Sequence, residues 1–144
     1  RQMCIRDRSY SIVLLDLDHF KTINDSYGHD IGDRVLRRVA SILAQNIRHK
    51  DMVGRFGGEE FILILNEDDL SVVKEVAERC RHQIEKTEVQ VHNDLSISIT
   101  ASLGIAVGNQ QKNSHENIVR LADQALYLAK SSGRNQVRHY LEIV

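Results

Sequence analysis

The chain has 144 residues, and its 42% hydrophobic and 27% charged residues are typical of one folded domain rather than of a disordered or fibrous protein. The formal net charge is −1, which excludes the broad basic surface of a protein that binds nucleic acid through its phosphates. The apolar runs are too short to cross a membrane, and two cysteines outside any CxxC pair favour a soluble domain in a reducing, cytoplasmic setting.

The first third of the chain predicts a strand followed by helix. Residues 10–18 are an apolar run of strand length that ends in two carboxylates, which is typical of a buried strand with polar groups at its C-terminal edge. Residues 19–25 predict a short helical turn. From 30 to 48 apolar side chains recur mostly every three or four residues, and this spacing predicts one amphipathic helix.

The middle of the chain predicts a hairpin and a second long helix. The apolar segments 51–56 and 61–66 flank Gly57 and Gly58, and two glycines between such segments favour a tight β-turn. Apolar residues between 70 and 84 again have helical spacing. Cys80 lies on the apolar face of that helix and is expected to be a small buried hydrophobe.

In the last third of the chain, the spacing of the apolar residues changes from helical to alternating. Residues 89–91 and 95–107 alternate between apolar and small or polar residues, which predicts a hairpin whose second strand is long and has one polar face. A third helix is expected over 118–129, stopped by Gly133, and residues 136–143 predict a closing strand.

The order strand, helix, hairpin, helix, hairpin, helix, strand predicts an α+β fold with a ferredoxin-like core. We expect a mixed sheet of about five strands plus a small hairpin, with helices packed around it. The sequence has no proline and no linker, so residues 9–144 are expected to form one domain. Residues 1–8 have no apolar period and are expected to be a disordered or foreign leader.

Carboxylates at the end of the first strand suggest a cation site. Asp16 and Asp18 stand two apart, so both can project to one side with the carbonyl of Leu17 between them, and Mg²⁺ prefers such oxygen ligands. The alternative is that they only cap the next helix. The turn that follows could hold phosphate through free N–H groups and Lys21, although aspartates near a lysine also suit a phospho-receiver.

Two further groups of charged residues could join such a site. Glu59 and Glu60 follow the two glycines, and adjacent acids at a turn favour a nearby cation or donor, unless the turn is simply solvated. Lys130 and Arg134 flank the end of the third helix, where they could bind phosphate or only complement the helix dipole.

Taken together, these segments resemble the GGDEF family of bacterial diguanylate cyclases, in its GGEEF form. Five motifs occur in the family's order, at residues 16–25, 28–33, 55–61, 100–104 and 122–135. The resemblance implies that two GTP are condensed to cyclic di-GMP and two pyrophosphates, with one GTP held by each domain of a transient homodimer. It also implies Mg²⁺, with Mn²⁺ as the alternative.

The resemblance assigns a role to each motif. The metal would be held by Asp16, Glu59 and the carbonyl of Leu17, with Glu60 beside them as a second acid whose role stays open. The β- and γ-phosphates would be held by Lys21, Lys130 and Arg134, and by N–H groups around His19 and Phe20. Guanine would be read by Asn24 and Asp33, while Gly57 and Gly58 would leave room for the nucleotide.

The resemblance also implies an inhibitory site for the product. Arg48 and Asp51 form an RxxD motif that ends six residues before Gly57, as in the family, and Arg79 resembles a further arginine that contacts bound product. An ion pair at a helix end and a solvated arginine are the alternatives.

Family members carry a helix and a D-x-L-T-x-L-x-N-R segment ahead of the first strand, which this sequence lacks. We therefore expect an upstream sensory or receiver domain in the full-length protein. A catalytically silent domain that binds GTP or cyclic di-GMP is the alternative function.

Overall fold

The structure, a computed structural model, describes residues 9–109 and 115–143. Its strands are β1 (Ser9–Leu17), β2 (Met52–Arg55), β3 (Glu60–Leu65), β4 (Glu88–His92), β5 (Leu95–Ser98), β6 (Ala101–Asn109) and β7 (Val137–His139). Its helices are α1 (Phe20–Tyr27), α2 (His29–Gln45), α3 (Leu70–Lys86) and α4 (His115–Ser131). The predicted leader, residues 1–8, lies outside the described residues.

The central sheet has the strand order β2-β3-β1-β6-β7. β1 pairs antiparallel with β3 and β6, β2 pairs antiparallel with β3, and β7 adds to β6 in parallel. The order β6-β1-β3-β2 is that of a ferredoxin-like sheet, and β4 with β5 forms a separate two-stranded sheet. The predicted α+β fold is therefore confirmed.

Helices cover both faces of this sheet, and the alternation of β1 assigns its side chains to two cores. Val13, Leu15 and Leu17 pack with α1, α2 and α3 on one face. Ile12 and Leu14 pack with α4 on the other. The predicted role of Cys80 is confirmed, because it is fully buried in the first core and burial raises the pKa of its thiol to about 11.

The prediction of one long strand over residues 95–107 was wrong. Ile99 and Thr100 interrupt it, so that β5 belongs to the small sheet and β6 to the central one. The face of β6 that was expected to be polar is buried under α4. Gly104 has no side chain there because a Cβ atom would lie 2.2 Å from the backbone nitrogen of Leu126. The small residues of this face reflect close helix packing rather than exposure to solvent.

Three element boundaries also differ from the prediction. The helical turn predicted over 19–25 is a full helix, α1. Helix α2 ends at Gln45, because the side chain of Asn46 folds back and donates to the carbonyl of Ile42 at 2.7 Å. The closing strand predicted over 136–143 is limited to β7, and a 3₁₀ turn at Tyr140–Glu142 follows it. No helix in the described part of the chain has the length and apolar character needed to span a membrane.

Candidate active site at the end of the central strand

Pairing of β1 with β3 brings the predicted acidic residues to one edge of the sheet. Asp16 and Glu60 are direct cross-strand neighbours. The N–H group of Leu17 donates to the carbonyl of Glu59 at 3.2 Å, so Glu59 is held beside the end of β1. The register of one strand pair thus brings Asp16 next to two acids that are more than forty positions away in the sequence.

The electrostatics of this edge favour a cation. The ammonium group of Lys130, at the end of α4, forms an ion pair with the carboxylate of Asp16. The pKa of Glu60 is raised, first by burial and then by repulsion from Asp16, while Lys130 opposes the shift and Asp123 adds to it. A further cation near these carboxylates would relieve their mutual repulsion.

The donor set fits Mg²⁺ better than a metal that needs a closed protein shell. Among the described residues, no three His, Cys, Asp or Glu side chains converge as a complete metal site. Two carboxylates, Asp16 and Glu59, and the carbonyl of Leu17 would be an open set of oxygen ligands. Mg²⁺ usually keeps several waters and takes substrate phosphate as a ligand, so an open set suits it.

Asp18 does not belong to this cation site, contrary to the reading that grouped it with Asp16. Its side chain is buried, and its carboxylate accepts hydrogen bonds from the hydroxyl groups of Thr100 and Ser102, at 2.7 Å each. The N–H group of Asn135 donates to it at 2.9 Å. These three hydrogen bonds give the Asp18 carboxylate a structural role.

The predicted phosphate-binding residues come from two ends of the chain. Arg134 lies in the turn after α4, with one guanidinium nitrogen 3.9 Å from the carboxylate of Asp18. Lys21 is exposed on α1 and forms no hydrogen bond or ion pair among the described residues. The structure therefore joins Lys130 to Asp16 and brings Arg134 near Asp18, whereas Lys21 pairs with neither carboxylate.

The start of α1 offers backbone rather than side-chain donors. His19 precedes the helix with a left-handed φ of 56° and its side chain is exposed. Phe20 is 7% exposed and packs into the core, so only its N–H group can reach a ligand. Thr22 is the first residue to donate back to the His19 carbonyl, which leaves the N–H groups of Phe20 and Lys21 without a partner in the helix.

The junction of α1 and α2 brings Asn24 next to Gly32 and Asp33. The side-chain oxygen of Asn24 is buried and has no hydrogen-bond partner among the described residues. A Cβ atom on Gly32 would lie 1.9 Å from this oxygen, so the glycine makes the space that the amide occupies. Asp33 follows with an exposed carboxylate. A buried acceptor without a donor beside an exposed carboxylate suits a ligand with several N–H groups.

The predicted hairpin between β2 and β3 is present, but its connection is a longer bend in which Gly57 and Gly58 do not have the positive φ of a tight two-residue turn. Phe56 and Gly57 both donate to the carbonyl of Glu60, at 2.8 and 3.3 Å, and the side chain of Arg55 donates to the carbonyl of Gly58 at 2.6 Å. A Cβ atom on Gly58 would meet nothing within 4 Å, whereas one on Gly57 would lie 2.9 Å from the carboxylate of Glu60. Open space for a bulky ligand thus lies at Gly58.

Two of the three residues of the predicted inhibitory site, Arg48 and Asp51, contact each other. The Asp51 side chain is only 4% exposed and accepts from the N–H groups of Arg48 and Asn66, at 2.8 Å each. The Arg48 side chain is exposed and lies 3.8 Å from Asp51. Arg79 donates to the side chain of Asn46 at 2.6 Å, two residues before Arg48, and it lines an open cavity of about 820 Å³ whose lining includes neither Arg48 nor Asp51. The loop thus holds the Asp51 carboxylate beside the exposed guanidinium group of Arg48, which also lies 3.4 Å from Glu67.

Sequence reasoning gave no role to several residues that shape the site. These are Gly32, Thr100, Ser102, Asp123 and Asn135. All five lie in segments that resemble the family's motifs, but a motif does not say which members contact one another. Only Asp123 carries a local signal, because it lies two helical turns before Lys130 on the same face of α4.

Comparisons with known proteins agree with this geometry. The family described as "Diguanylate cyclase, GGDEF domain" matches residues 1–136. Among curated proteins, Diguanylate cyclase DosC of Escherichia coli (strain K12) is 41% identical over 127 residues, which are 88% of this chain and 27% of DosC. Diguanylate cyclase A of Treponema denticola is 42% identical over 132 residues, 92% of this chain and 35% of that protein. The chain thus spans about a quarter to a third of these relatives.

Solved structures match over 92% of the chain. The GGDEF domain of DgcB from Caulobacter crescentus in complex with c-di-GMP superposes with a TM-score of 0.86 at 33% identity, covering 78% of that chain. Diguanylate cyclase SiaD in complex with its activator SiaC from Pseudomonas aeruginosa gives 0.85 at 38% identity and 50% coverage. The active GGEEF domain of a diguanylate cyclase from Vibrio cholerae gives 0.84 at 33% identity and 83% coverage.

Proposed function

The chain belongs to the diguanylate cyclase GGDEF-domain family, and on that premise we propose that it condenses two GTP into cyclic di-GMP with release of two pyrophosphates. The observation that carries the proposal is the acidic edge at the end of β1, where Asp16, Glu59 and Glu60 lie beside the ammonium group of Lys130. Carboxylates that attract a cation, next to basic groups that attract phosphate, are what a metal-assisted phosphoryl transfer requires.

Asp16 and Glu59, with the carbonyl of Leu17, would hold Mg²⁺, or Mn²⁺ in its place. When bound, the ion neutralises negative charge on the α-phosphate as the 3′-hydroxyl of the other GTP attacks in line. The contact of Lys130 with Asp16 supports this assignment, because it shows that the carboxylate already accepts a cation.

Glu60 would accept the proton of the attacking hydroxyl. Its pKa is raised by burial and by Asp16, so its carboxylate is a stronger base than that of an ordinary glutamate. The turn supports this role, since the carbonyl of Glu60 accepts from both Phe56 and Gly57 and so fixes the residue at the rim of the open space.

The triphosphate would lie between the start of α1 and the end of α4. Lys130 and Arg134 would contact the β- and γ-phosphates from one side, and Lys21 from the rim. The N–H groups at His19 and Phe20 would donate to phosphate oxygens, as the free N–H groups of a helix start commonly do. These three cations would offset the charge of the departing pyrophosphate.

Guanine would be recognised between α1 and α2. The Asp33 carboxylate can accept from N1–H and N2–H₂ of guanine, and the buried oxygen of Asn24 can accept a further N–H. Adenine has neither an N1–H nor an N2–H₂ group, so these two residues together favour GTP over ATP.

Each domain would hold one GTP, so a transient homodimer would complete the reaction.

Cyclic di-GMP would bind as an inhibitor at Arg48, Asp51 and Arg79. Arginine can donate to O6 and N7 of guanine, as it does in other guanine sites. The exposed guanidinium group of Arg48 beside Asp51 supports this product site, and Arg79 is bonded to Asn46, two residues before Arg48.

The proposal is tested by incubating the purified chain with GTP and Mg²⁺ and separating the nucleotides by chromatography. We expect cyclic di-GMP and pyrophosphate from the parent chain and no product from Glu59→Gln, which removes a charge at almost constant volume. Glu75→Gln, an exposed position on α3, is the matched control and should be active. GTP binding without product, by the parent chain at any protein concentration, would favour the silent binding domain instead.

A further inference from the structure

Asp18 is a buried carboxylate that the proposed reaction does not use. It is 3% exposed and lies just after β1. Thr100, Ser102 and Asn135 donate to it from two separate segments, at 2.7 to 2.9 Å. A neutral amide in its place would offer one acceptor oxygen where these three donors now share two. The carboxylate accepts all three hydrogen bonds at once, one at Oδ1 and two at Oδ2.

The segment that Asp18 holds has an unusual backbone. Gly133, Arg134 and Asn135 all have left-handed φ angles, of 118°, 64° and 47°. Residues other than glycine rarely adopt this conformation, and a run of them persists only when contacts from outside fix it. The hydrogen bond from the Asn135 N–H group to Asp18 is such a contact, and it acts on the residue directly after Arg134.

The same turn is fixed from its other side by α3. The side chain of Asn135 accepts from Arg81 at 2.8 Å and donates to Glu85 at 2.7 Å. The backbone around Arg134 is therefore held between β1 and α3, although Arg134 itself contacts neither of these α3 residues.

The side chain of Arg134 lies near Asp18 without a hydrogen bond to it. Its guanidinium group lies 3.9 Å from Asp18, which is within range of attraction but beyond a hydrogen bond. Within the described chain the Arg134 side chain forms no hydrogen bond, so its donors remain available to a ligand.

We propose that Asp18 is a positioning residue that directs Arg134 toward the β- and γ-phosphates of the nucleotide. It does so by holding the turn through the Asn135 N–H group and by attracting the guanidinium group without occupying its donors. This inference rests on the proposed function, and it adds a residue whose effect on the nucleotide passes entirely through Arg134.

The first test compares the affinities of GTP and GMP for Asp18→Asn by calorimetry in the presence of Mg²⁺. Because GMP lacks the β- and γ-phosphates, misplacing Arg134 should weaken GTP by roughly 10- to 100-fold and leave GMP unchanged. Asp69→Asn is the matched control, since Asp69 caps α3 and asparagine caps a helix equally well. It should bind both nucleotides as the parent does.

The second test is a double-mutant cycle with Arg134→Ala. If Asp18 acts through Arg134, adding Asp18→Asn to Arg134→Ala should cause no further loss of GTP affinity. Equal losses for GTP and GMP, losses that multiply in the double variant, or no loss at all would overturn the positioning role.

A second variant covers the case in which Asp18→Asn does not fold. Thr100→Val removes one donor from the same carboxylate oxygen that Asn135 contacts. It should weaken GTP selectively but by a smaller factor, and an equal or absent effect on the two nucleotides overturns the inference. If the parent chain itself does not bind GTP, the proposed function is wrong. If the parent binds GTP and the variants lose no selectivity for it, only the positioning role is wrong.

Discussion

Glu60 stands at a position where a negative charge is costly to the folded protein. Burial and the neighbouring Asp16 raise its pKa above the ordinary value of 4.5. The folded state then holds a proton more readily than the unfolded state does. Between these two pKa values the free energy of unfolding falls as the pH rises, so Glu60 costs the free protein stability at neutral pH.

Replacement by a neutral side chain should remove that cost. We expect Glu60→Gln to raise the free energy of unfolding at pH 7 by no more than about 1 kcal/mol, because solvent screens part of the repulsion. The gain should vanish below about pH 4.5, where the parent side chain is protonated in both states. Urea denaturation at pH 7 and pH 4 measures it, with Glu75→Gln as the exposed control. A gain that is equal at both pH values would show that charge is not its cause.

Gly32 has a local role in nucleotide choice. A methyl group there would occupy the position of the Asn24 side-chain oxygen, at 1.9 Å, so Gly32→Ala should push the amide out of its place. We expect the preference for GTP over ATP to fall by about 1–3 kcal/mol, as when a buried donor loses its partner. Calorimetry with both nucleotides measures the ratio of affinities. Gly54→Ala is the control, because its nearest neighbour would be 3.8 Å away. An unchanged ratio in Gly32→Ala would contradict the guanine assignment.

Residue types and motif order were sufficient to predict which side chains lie near the site, but not every contact among them. Asp16 lies opposite Glu60 and forms an ion pair with Lys130. Asp18 could not be separated from Asp16 in the sequence, because both end the same strand and project to the same face. The difference between them arises from Thr100 and Ser102, which are more than eighty residues away in the chain.

At the scale of elements, local periodicity predicted the helices and hairpins but not how many layers would cover each strand. Residues 101–107 alternate as a half-exposed strand does, yet β6 is buried on both faces. The reason is that α4 packs so closely that only small residues fit beneath it. A run of serine, glycine and alanine has the same period whether it faces water or a helix backbone, so the sequence alone could not decide.

The close packing of α4 on β6 gives a prediction about stability. In Gly104→Ala the new methyl group would lie 2.2 Å from the backbone nitrogen of Leu126 and 2.3 Å from the carbonyl of Ala122. Backbone atoms cannot turn aside as side chains do, so helix and strand must separate. We expect the free energy of unfolding to fall by about 1–3 kcal/mol or more in urea denaturation. Gly54→Ala should change it far less, and similar losses in both variants would show that α4 tolerates displacement.

At the scale of the whole molecule, the proposed product site and the proposed active site are linked by one short strand. β2 begins at Met52, directly after Asp51, and leads to the hairpin with Gly57 and Gly58. Product bound between two domains at Arg48 could therefore hold their acidic edges apart, and couplings of this kind are typically about 1–3 kcal/mol.

Removal of the Arg48 guanidinium group should abolish this coupling. We expect the rate of Arg48→Ala, relative to its own rate without product, to stay constant as cyclic di-GMP is added, whereas the parent slows. Arg37→Ala, on the exposed side of α2, is the control and should be inhibited as the parent is. If Arg48→Ala and the parent give the same inhibition curve, Arg48 and Asp51 are only an ion pair.

In the proposed reaction this chain forms half of an active site for making cyclic di-GMP. The most direct measurement is the initial rate of cyclic di-GMP formation, at saturating GTP and Mg²⁺, as a function of protein concentration. It is made for the chain alone and for the chain fused to a dimeric leucine zipper, which holds two copies at a high effective concentration. We predict a rate that rises faster than linearly for the chain alone and in proportion to concentration for the fusion. Strict proportionality in a chain shown to be monomeric, or no product from either protein, would contradict the account.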